Sequence, residues 1–403
     1  MSPQPVVLPW PDLRILLDYR AALRERTGVG EYVHEIAGAV GRRLTAADDL
    51  ILFSSSWKDR MGDGVPPGRR VDLRIPVRLL NAAWHRLEAP AIERFAGPVD
   101  LVHSFHPLLI PARRAAQVVT VHDLDFLDHP ERTRREIRRD YPSLAAAHAR
   151  RADAVVAVSA FTAGEVERRL GVPRDRIFVC GPGAPPWAPR PRPVPRGPIL
   201  FMGTLEPRKN VGTLLRAYAA LLRVVPDAPD LWLAGGATEA AGAWLRAIAE
   251  PPFAGRVRHL GYIPGDRRYD LYAQASMLVL PSHLEGFGIP ALEAMTVGVP
   301  VIVSNRGALP EVTGGAAQVV EPEDADGIAA AMRRYLEDGD AAARAVERGL
   351  TRARAYSWDA SAAALIDLYR ELIAAPRERS APAKRRARER AGGSGGAKPP
   401  GQE

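Results

Sequence analysis

At 403 residues the chain exceeds what one hydrophobic core usually supports, so two domains are expected. Its 46% hydrophobic and 25% charged residues exclude wholesale disorder, and a single cysteine, Cys180, excludes a disulfide framework or a multi-cysteine metal site. The net charge of +8 is uneven: 27 basic against 23 acidic side chains over 1–187, three arginines over 188–197, 17 against 21 over 198–375, and eight against three over 376–403.

Basicity therefore gathers in a linker and a tail. With 6% aromatic residues and no stacking motif, nucleic-acid binding is not expected. No apolar run approaches the roughly 18–20 residues of a membrane span. Met1–Pro11 has no basic region leading into an apolar stretch, so no secretory signal is expected and cytoplasmic residence is the simplest reading.

Along the chain, short apolar runs alternate with longer helical patterns. Strands are predicted at Arg14–Leu17, Leu50–Ser54, Leu101–Ser104, Val118–Val121, Ala154–Val158 and Ile177–Val179, with a helix at Tyr32–Leu44. Pro185–Pro195 then carries too many prolines for a helix or a central strand and marks a boundary. Beyond it, strands are predicted at Ile199–Met202, Asp230–Ala234, Val257–Leu260, Met277–Leu280, Val301–Val303 and Gln318–Val320. Helices are predicted at Thr213–Val224, Asp266–Ala275, Pro290–Val297 and Ala325–Glu337.

Continuously apolar strands suit a parallel sheet buried on both faces. The pattern predicts an α/β chain of two doubly wound, Rossmann-like domains, 1–187 and 198–375, joined by a linker at 188–197. The last helix is a candidate to return to the first domain, and a disordered basic tail is expected at 376–403. Ligands are expected outside the carboxyl ends of the strands, in the cleft between the domains.

The richest segment is Leu280–Met295. A strand gives way to a loop with Glu285, Gly286 and Gly288, and Pro290 fits the first turn of a helix. Close backbone approach and a helix N-terminus make an anion site. Glu285 and Glu293 can each accept a pair of sugar hydroxyls; alternatively Glu293 complements the helix dipole and Glu285 is a solvated loop residue. Arg208 and Lys209, in a loop after the first strand of this half, suit a diphosphate.

In the first half, Thr27-Gly28-Val29-Gly30 precedes a helical pattern, either as turn glycines or as a phosphate-approaching loop. His122 and Asp123 follow a strand end, and His103 and His106 sit at another, where they either touch acceptor or have a structural hydrogen-bonding role. Ser159 is a candidate N-cap. The basic stretch Arg132–Arg139 is either a solvated face or a contact for an anionic lipid-linked acceptor or membrane surface.

The phrases GTLEPRKN and ASMLVLPSHLEGFGIPALEAMTVGVPVIVSNRGALPEV, with Glu285 and Glu293 separated by seven residues, resemble the retaining glycosyltransferases of family 4, which have the two-domain GT-B fold. The likeness is to their mannosyltransferase-like branch and runs from about Arg14 to Tyr369.

The resemblance implies that Glu285 contacts donor-sugar hydroxyls, that Glu293 holds the nucleotide ribose, and that the amides of Gly286, Phe287, Gly288 and Ile289 meet the sugar and diphosphate. It implies Arg208 and Lys209 as the diphosphate clamp, and Tyr262 and Ile263, after Gly261, as lining of the base pocket. The Gly28–Gly30 loop would touch donor phosphate or acceptor, and His122 would face the donor sugar.

The implied reaction moves a hexose, mannose from GDP-mannose by preference, from a nucleoside diphosphate sugar to a hydroxyl of a glycan or lipid-linked acceptor. Configuration is retained, and neither a cofactor nor a metal is required. Asp123-Leu124-Asp125 has metal-binding spacing but lies in the acceptor half. A sugar-nucleotide epimerase and a non-catalytic nucleotide-sugar-binding module are the rival readings.

Overall fold

The computed structural model describes residues 12–23, 26–132 and 135–375. The tail 376–403 and most side chains of the Arg132–Arg139 stretch lie outside the described residues. Seven strands form one parallel sheet: β1 Arg14–Asp18, β2 Asp49–Ser55, β3 Arg69–Leu73, β4 Leu101–Ser104, β5 Ala116–Val121, β6 Ala154–Ala157 and β7 Ile177–Val179. Six more form a second: β8 Ile199–Met202, β9 Leu231–Ala234, β10 Val257–Gly261, β11 Met277–Leu280, β12 Val301–Ser304 and β13 Gln318–Val320.

The strand orders are β3-β2-β1-β4-β5-β6-β7 and β10-β9-β8-β11-β12-β13. Both follow the doubly wound order, which reverses between β1 and β4 and again between β8 and β11. Those two reversals are where such sheets open a crevice for ligand.

The apolar runs form strands because both faces of each sheet are covered. β4, β6, β8, β11 and β12 are buried at every residue, and each large aliphatic side chain so buried contributes roughly 1.5–3 kcal/mol. The edge strand β3 went unpredicted because its sequence, RRVDL, begins with two exposed arginines. Polar residues suit an unpaired edge and hide it from a hydrophobicity reading.

The helices that matter for the site are α1 Gly28–Arg43, α2 Arg135–Arg151, α3 Ala160–Glu165, α4 Val211–Val224, α5 Gly265–Gln274, α6 Ile289–Val297, α7 Ala325–Glu337, α8 Gly339–Ala353 and α9 Trp358–Ala374. α1 starts four residues before the predicted Tyr32. Gly28 and Gly30 thus belong to the helix's first turn, with Thr27 as cap residue, and not to a loop preceding it. Between Pro185 and Pro195 the backbone forms neither helix nor strand. α9 packs on α1, and its Tyr369 hydroxyl lies 2.6 Å from Nδ1 of His103 on β4. The last helix therefore crosses back to the first lobe. Among the described residues, no helix is long and apolar enough to cross a membrane.

Candidate active site

Two loops meet at the second sheet's reversal. After β8 the chain makes a tight turn over Pro207–Lys209, and Asn210 adopts a left-handed φ of +57° before α4 begins. The Asn210 amide donates to the Pro281 carbonyl at 3.0 Å and the Pro322 carbonyl at 2.6 Å, pinning this turn against the loop that follows β11. The His283 amide completes the seam by donating to the Arg208 carbonyl at 2.8 Å.

This juxtaposition puts Lys209 Nζ 2.5 Å from Oε1 of Glu285, which also accepts from the Ser282 hydroxyl at 2.7 Å. Arg208 Nη1 lies 3.4 Å from Oε2 of Glu285 and donates to the Leu284 carbonyl at 2.9 Å, while Nη2 reaches Glu206 at 2.9 Å. From the first lobe, Asp123 stands 3.8 Å from Arg208.

Lys209 is 9% and Glu285 6% exposed, so their pairing is largely desolvated. Burial alone would push the Glu285 carboxyl up. Lys209 and Arg208 together outweigh it and hold the group below the usual carboxylate range. Glu285 is therefore anionic at neutral pH and pairs with two cations, of which Arg208 also meets Glu206 and Asp123.

The loop turns into α6 through Gly288, whose φ of +101° lies in the left-handed region. Pro290 occupies the helix's first turn, as predicted. Gly286 is required for a different reason. Its carbonyl accepts from Ser159 at 2.7 Å and Thr162 at 3.2 Å, both on the opposite lobe, and an added Cβ would lie 1.7 Å from the His122 carbonyl oxygen. Ser159 caps α3, accepting from the Thr162 amide at 3.0 Å. Phe287 turns its ring edge-on to Tyr356 at 5.5 Å, and Ile289 is half-buried at the start of α6.

Glu293 lies on α6 and is 4% exposed. Its oxygens accept from Arg268 at 2.6 Å and Tyr272 at 2.7 Å, both on α5. Burial raises this carboxyl; Arg268 and Tyr272 only partly offset that, and Glu31 adds to it. Tyr262, just past β10, donates to the Arg26 carbonyl across the cleft at 3.4 Å, and Ile263 beside it packs on the core.

His122 donates from Nε2 to the Phe105 carbonyl at 3.2 Å and sets its ring edge-on to Tyr32 at 5.2 Å. Burial lowers its pKa to about 4, so the imidazole is neutral at pH 7. Asp123 accepts from the Asp125 amide at 3.2 Å, holding its own loop. Thus Glu285, Arg208, Lys209, Gly286 and the His122 backbone come together. Glu293 lies instead in a separate cluster with Arg268, Tyr272 and, through Arg268, Glu31 beside Gly28 and Gly30.

Sequence reasoning missed Ser282, Glu206, Arg268 and Tyr272. Ser282 carries a signal, being three residues before Glu285 in the same loop. It named His106 but missed the second polar cluster that His106 joins at the reversal of the first sheet, outside β1 and β4. There Asp18 pairs with Arg20 at 2.7 Å and His106 at 3.1 Å, and Arg20 donates to Asn81 at 2.8 Å. His103 is not part of it: buried between Tyr369 and Thr120, it is a structural residue whose pKa burial lowers to about 3.

One cavity, about 590 Å³, lies behind the proline-rich linker against Tyr356 and Trp358 and is not lined by Glu285; a small one of about 80 Å³ adjoins Asp123 and Leu284. Among the described residues, no group of three His, Cys, Asp or Glu is placed to hold a metal ion.

Both lobes match known protein families. Residues 196–338 match the family described as glycosyl transferases group 1, and residues 26–188 match glycosyltransferase family 4. An O-antigen chain mannosyltransferase B of Escherichia coli is 33% identical over 376 residues, covering 86% of this chain and 96% of that protein. An MMP alpha-(1->4)-mannosyltransferase of Mycolicibacterium hassiacum is 32% identical over 56% of each chain. Among solved structures, a sucrose-phosphate synthase from Thermosynechococcus elongatus superposes with a TM-score of 0.72 at 23% identity, over 90% of this chain and 100% of that one.

Proposed function

Because the chain belongs to glycosyltransferase family 4 and has the GT-B fold, we propose that it moves a hexose from a nucleoside diphosphate sugar to a hydroxyl of a glycan or lipid-linked acceptor, with retained configuration and without metal. Mannose from GDP-mannose is the donor we favour, because the relatives reported above are named mannosyltransferases. One observation carries the reading. Two cations, a buried carboxylate and a helix N-terminus converge where the second sheet reverses.

Chemically, the cluster is poised for exchange of partners. Arg208 and Lys209 are held by Glu285, Glu206 and Asp123. An arriving diphosphate competes for both cations and releases Glu285 to accept sugar hydroxyls. The same cations and the α6 N-terminus then stabilise negative charge as the diphosphate departs. The neutral His122 borders the site without supplying a charge. Ser159, Thr162 and Gly286 hold the lobes together, which excludes water from the reacting centre.

We place the reaction in the cytoplasm. The basic sequence over Arg132–Arg139 supports contact with an anionic acceptor or the inner membrane face. Thermal-shift titration with GDP, UDP, dTDP and their sugars tests the donor. Stabilisation by GDP and GDP-mannose is expected, and stabilisation by UDP- or dTDP-sugars alone would overturn that choice. Turnover only in the presence of an acceptor separates transfer from epimerisation, and NMR of the product's anomeric centre tests retention.

A further inference from the structure

The guanidinium of Arg268 stands between carboxylates from different lobes. Its Nη1 lies 2.6 Å from Oε1 of Glu293 on α6, and its Nη2 lies 2.6 Å from Oε2 of Glu31 in the first turn of α1. Arg268 is 8% exposed; neither its Nε nor its Nη2 has a partner in hydrogen-bond geometry among the described residues, so Nη2 meets Glu31 as an ion pair and not as a hydrogen bond. Tyr272, one turn along α5, takes the other oxygen of Glu293 at 2.7 Å. An ionised carboxylate offers about four acceptor sites. Arg268 and Tyr272 use one on each oxygen, which leaves one on each for a vicinal diol.

We propose that Arg268 is a positioning residue that ties the ribose-facing carboxylate of the second lobe to the first helix of the first lobe, so that the nucleotide site takes its working shape when the lobes are docked. The proposal rests on reading Glu293 as the ribose ligand. Its charge logic follows from the groups that face Glu293. Burial and the Glu31 carboxylate favour the neutral acid, whereas Arg268 and Tyr272 on α5 favour the anion. Glu35 on α1 also feels Glu31, Arg26, Arg42 and Arg268. Arg268 is the one cation of this set in contact with Glu293, so its removal leaves two carboxylates facing one another in a buried place.

The test is GDP binding by calorimetry at pH 6 and pH 8, with UDP titrated in parallel, on the wild-type chain, Arg268→Gln, Arg268→Lys and Glu31→Gln. Wild-type affinity should change less than about threefold between the two pH values. Arg268→Gln should bind about tenfold or more weakly at pH 6 than at pH 8, because burial and Glu31 then favour the neutral acid of Glu293 with no cation opposing them. Arg268→Lys keeps the charge and should restore the flat profile, and Glu31→Gln should also remain flat.

Without nucleotide, the melting-temperature losses of Arg268→Gln and Glu31→Gln should be non-additive in the double variant, since both break one tether. A pH-independent loss in Arg268→Gln, or additive melting losses, would overturn the proposal. Unchanged GDP binding in folded Glu293→Gln would instead overturn the reading of Glu293 as ribose ligand, with the melting cycle still deciding whether the tether exists.

Discussion

Replacing Lys209 by Met removes one charge while keeping most of the side chain's volume. The structure sets the size of the effect. Glu285 stays 6% exposed and loses its nearest cation, at 2.5 Å, while Arg208 at 3.4 Å and the Ser282 hydroxyl at 2.7 Å remain. Removing one partner of a buried ion pair costs about 3–5 kcal/mol, and the surviving donors place this case near the lower end, about 3 kcal/mol at pH 8.

The pH dependence has a definite sign. In the wild-type chain the Glu285 carboxyl is held below its ordinary range. Its contribution is therefore present above the unfolded carboxylate pKa and is lost only as pH falls through the lower folded value. In Lys209→Met the cation that does most to lower it is gone and burial remains, so the folded pKa rises. The variant should then be most destabilised at pH 8, and its deficit should shrink toward pH 5. Urea unfolding at both pH values measures this. A deficit below about 1 kcal/mol at pH 8, or one that grows toward pH 5, would refute the reasoning. The same variant should lose about 2–4 kcal/mol of transition-state stabilisation, read as a fall in kcat/KM.

Other outcomes follow from the same geometry. Glu293→Gln should weaken nucleoside diphosphate binding by about 1.5–3 kcal/mol, as for hydrogen bonds to a charged group, and calorimetry checks it. Gly286→Ala would place a Cβ 1.7 Å from the His122 carbonyl oxygen, so the lobes should fail to dock. Activity should fall steeply and the radius of gyration should grow, while circular dichroism stays native. His122 has a pKa lowered by burial to about 4. The contribution of His122 to stability should therefore be complete above pH 6.5 and fall by at most about 3 kcal/mol as pH drops toward 4, and His122→Gln should make the acid slope shallower by that share while His103 and His148 keep theirs. Dialysis against EDTA should leave turnover unchanged.

Much of the scaffold was legible because parallel strands covered on both faces write themselves as unbroken apolar runs; β11 and β12 are examples. β3 was not, since an edge strand needs only one residue, Val71, in the core. The meeting of Lys209 and Glu285 was readable for a topological reason: β8 and β11 are neighbours at the sheet's reversal, so the loops after them must converge.

The Glu31–Arg268–Glu293 group was not readable, because the relative placement of two lobes brings it together and no local spacing encodes that. Arg268 looks in sequence like one half of an exposed Arg-Arg pair on an amphipathic helix. The Asp18–Arg20–His106 group escaped for a similar reason. Residues 86 apart join only because β1 and β4 lie side by side.

The most direct measurement is a crystal structure of the chain with GDP-mannose. The account predicts diphosphate oxygens at about 2.7–2.9 Å from Lys209 Nζ and the Arg208 guanidinium, with Glu285 turned from Lys209 to the sugar. A diphosphate bound elsewhere, with the Lys209–Glu285 pair intact, would contradict it.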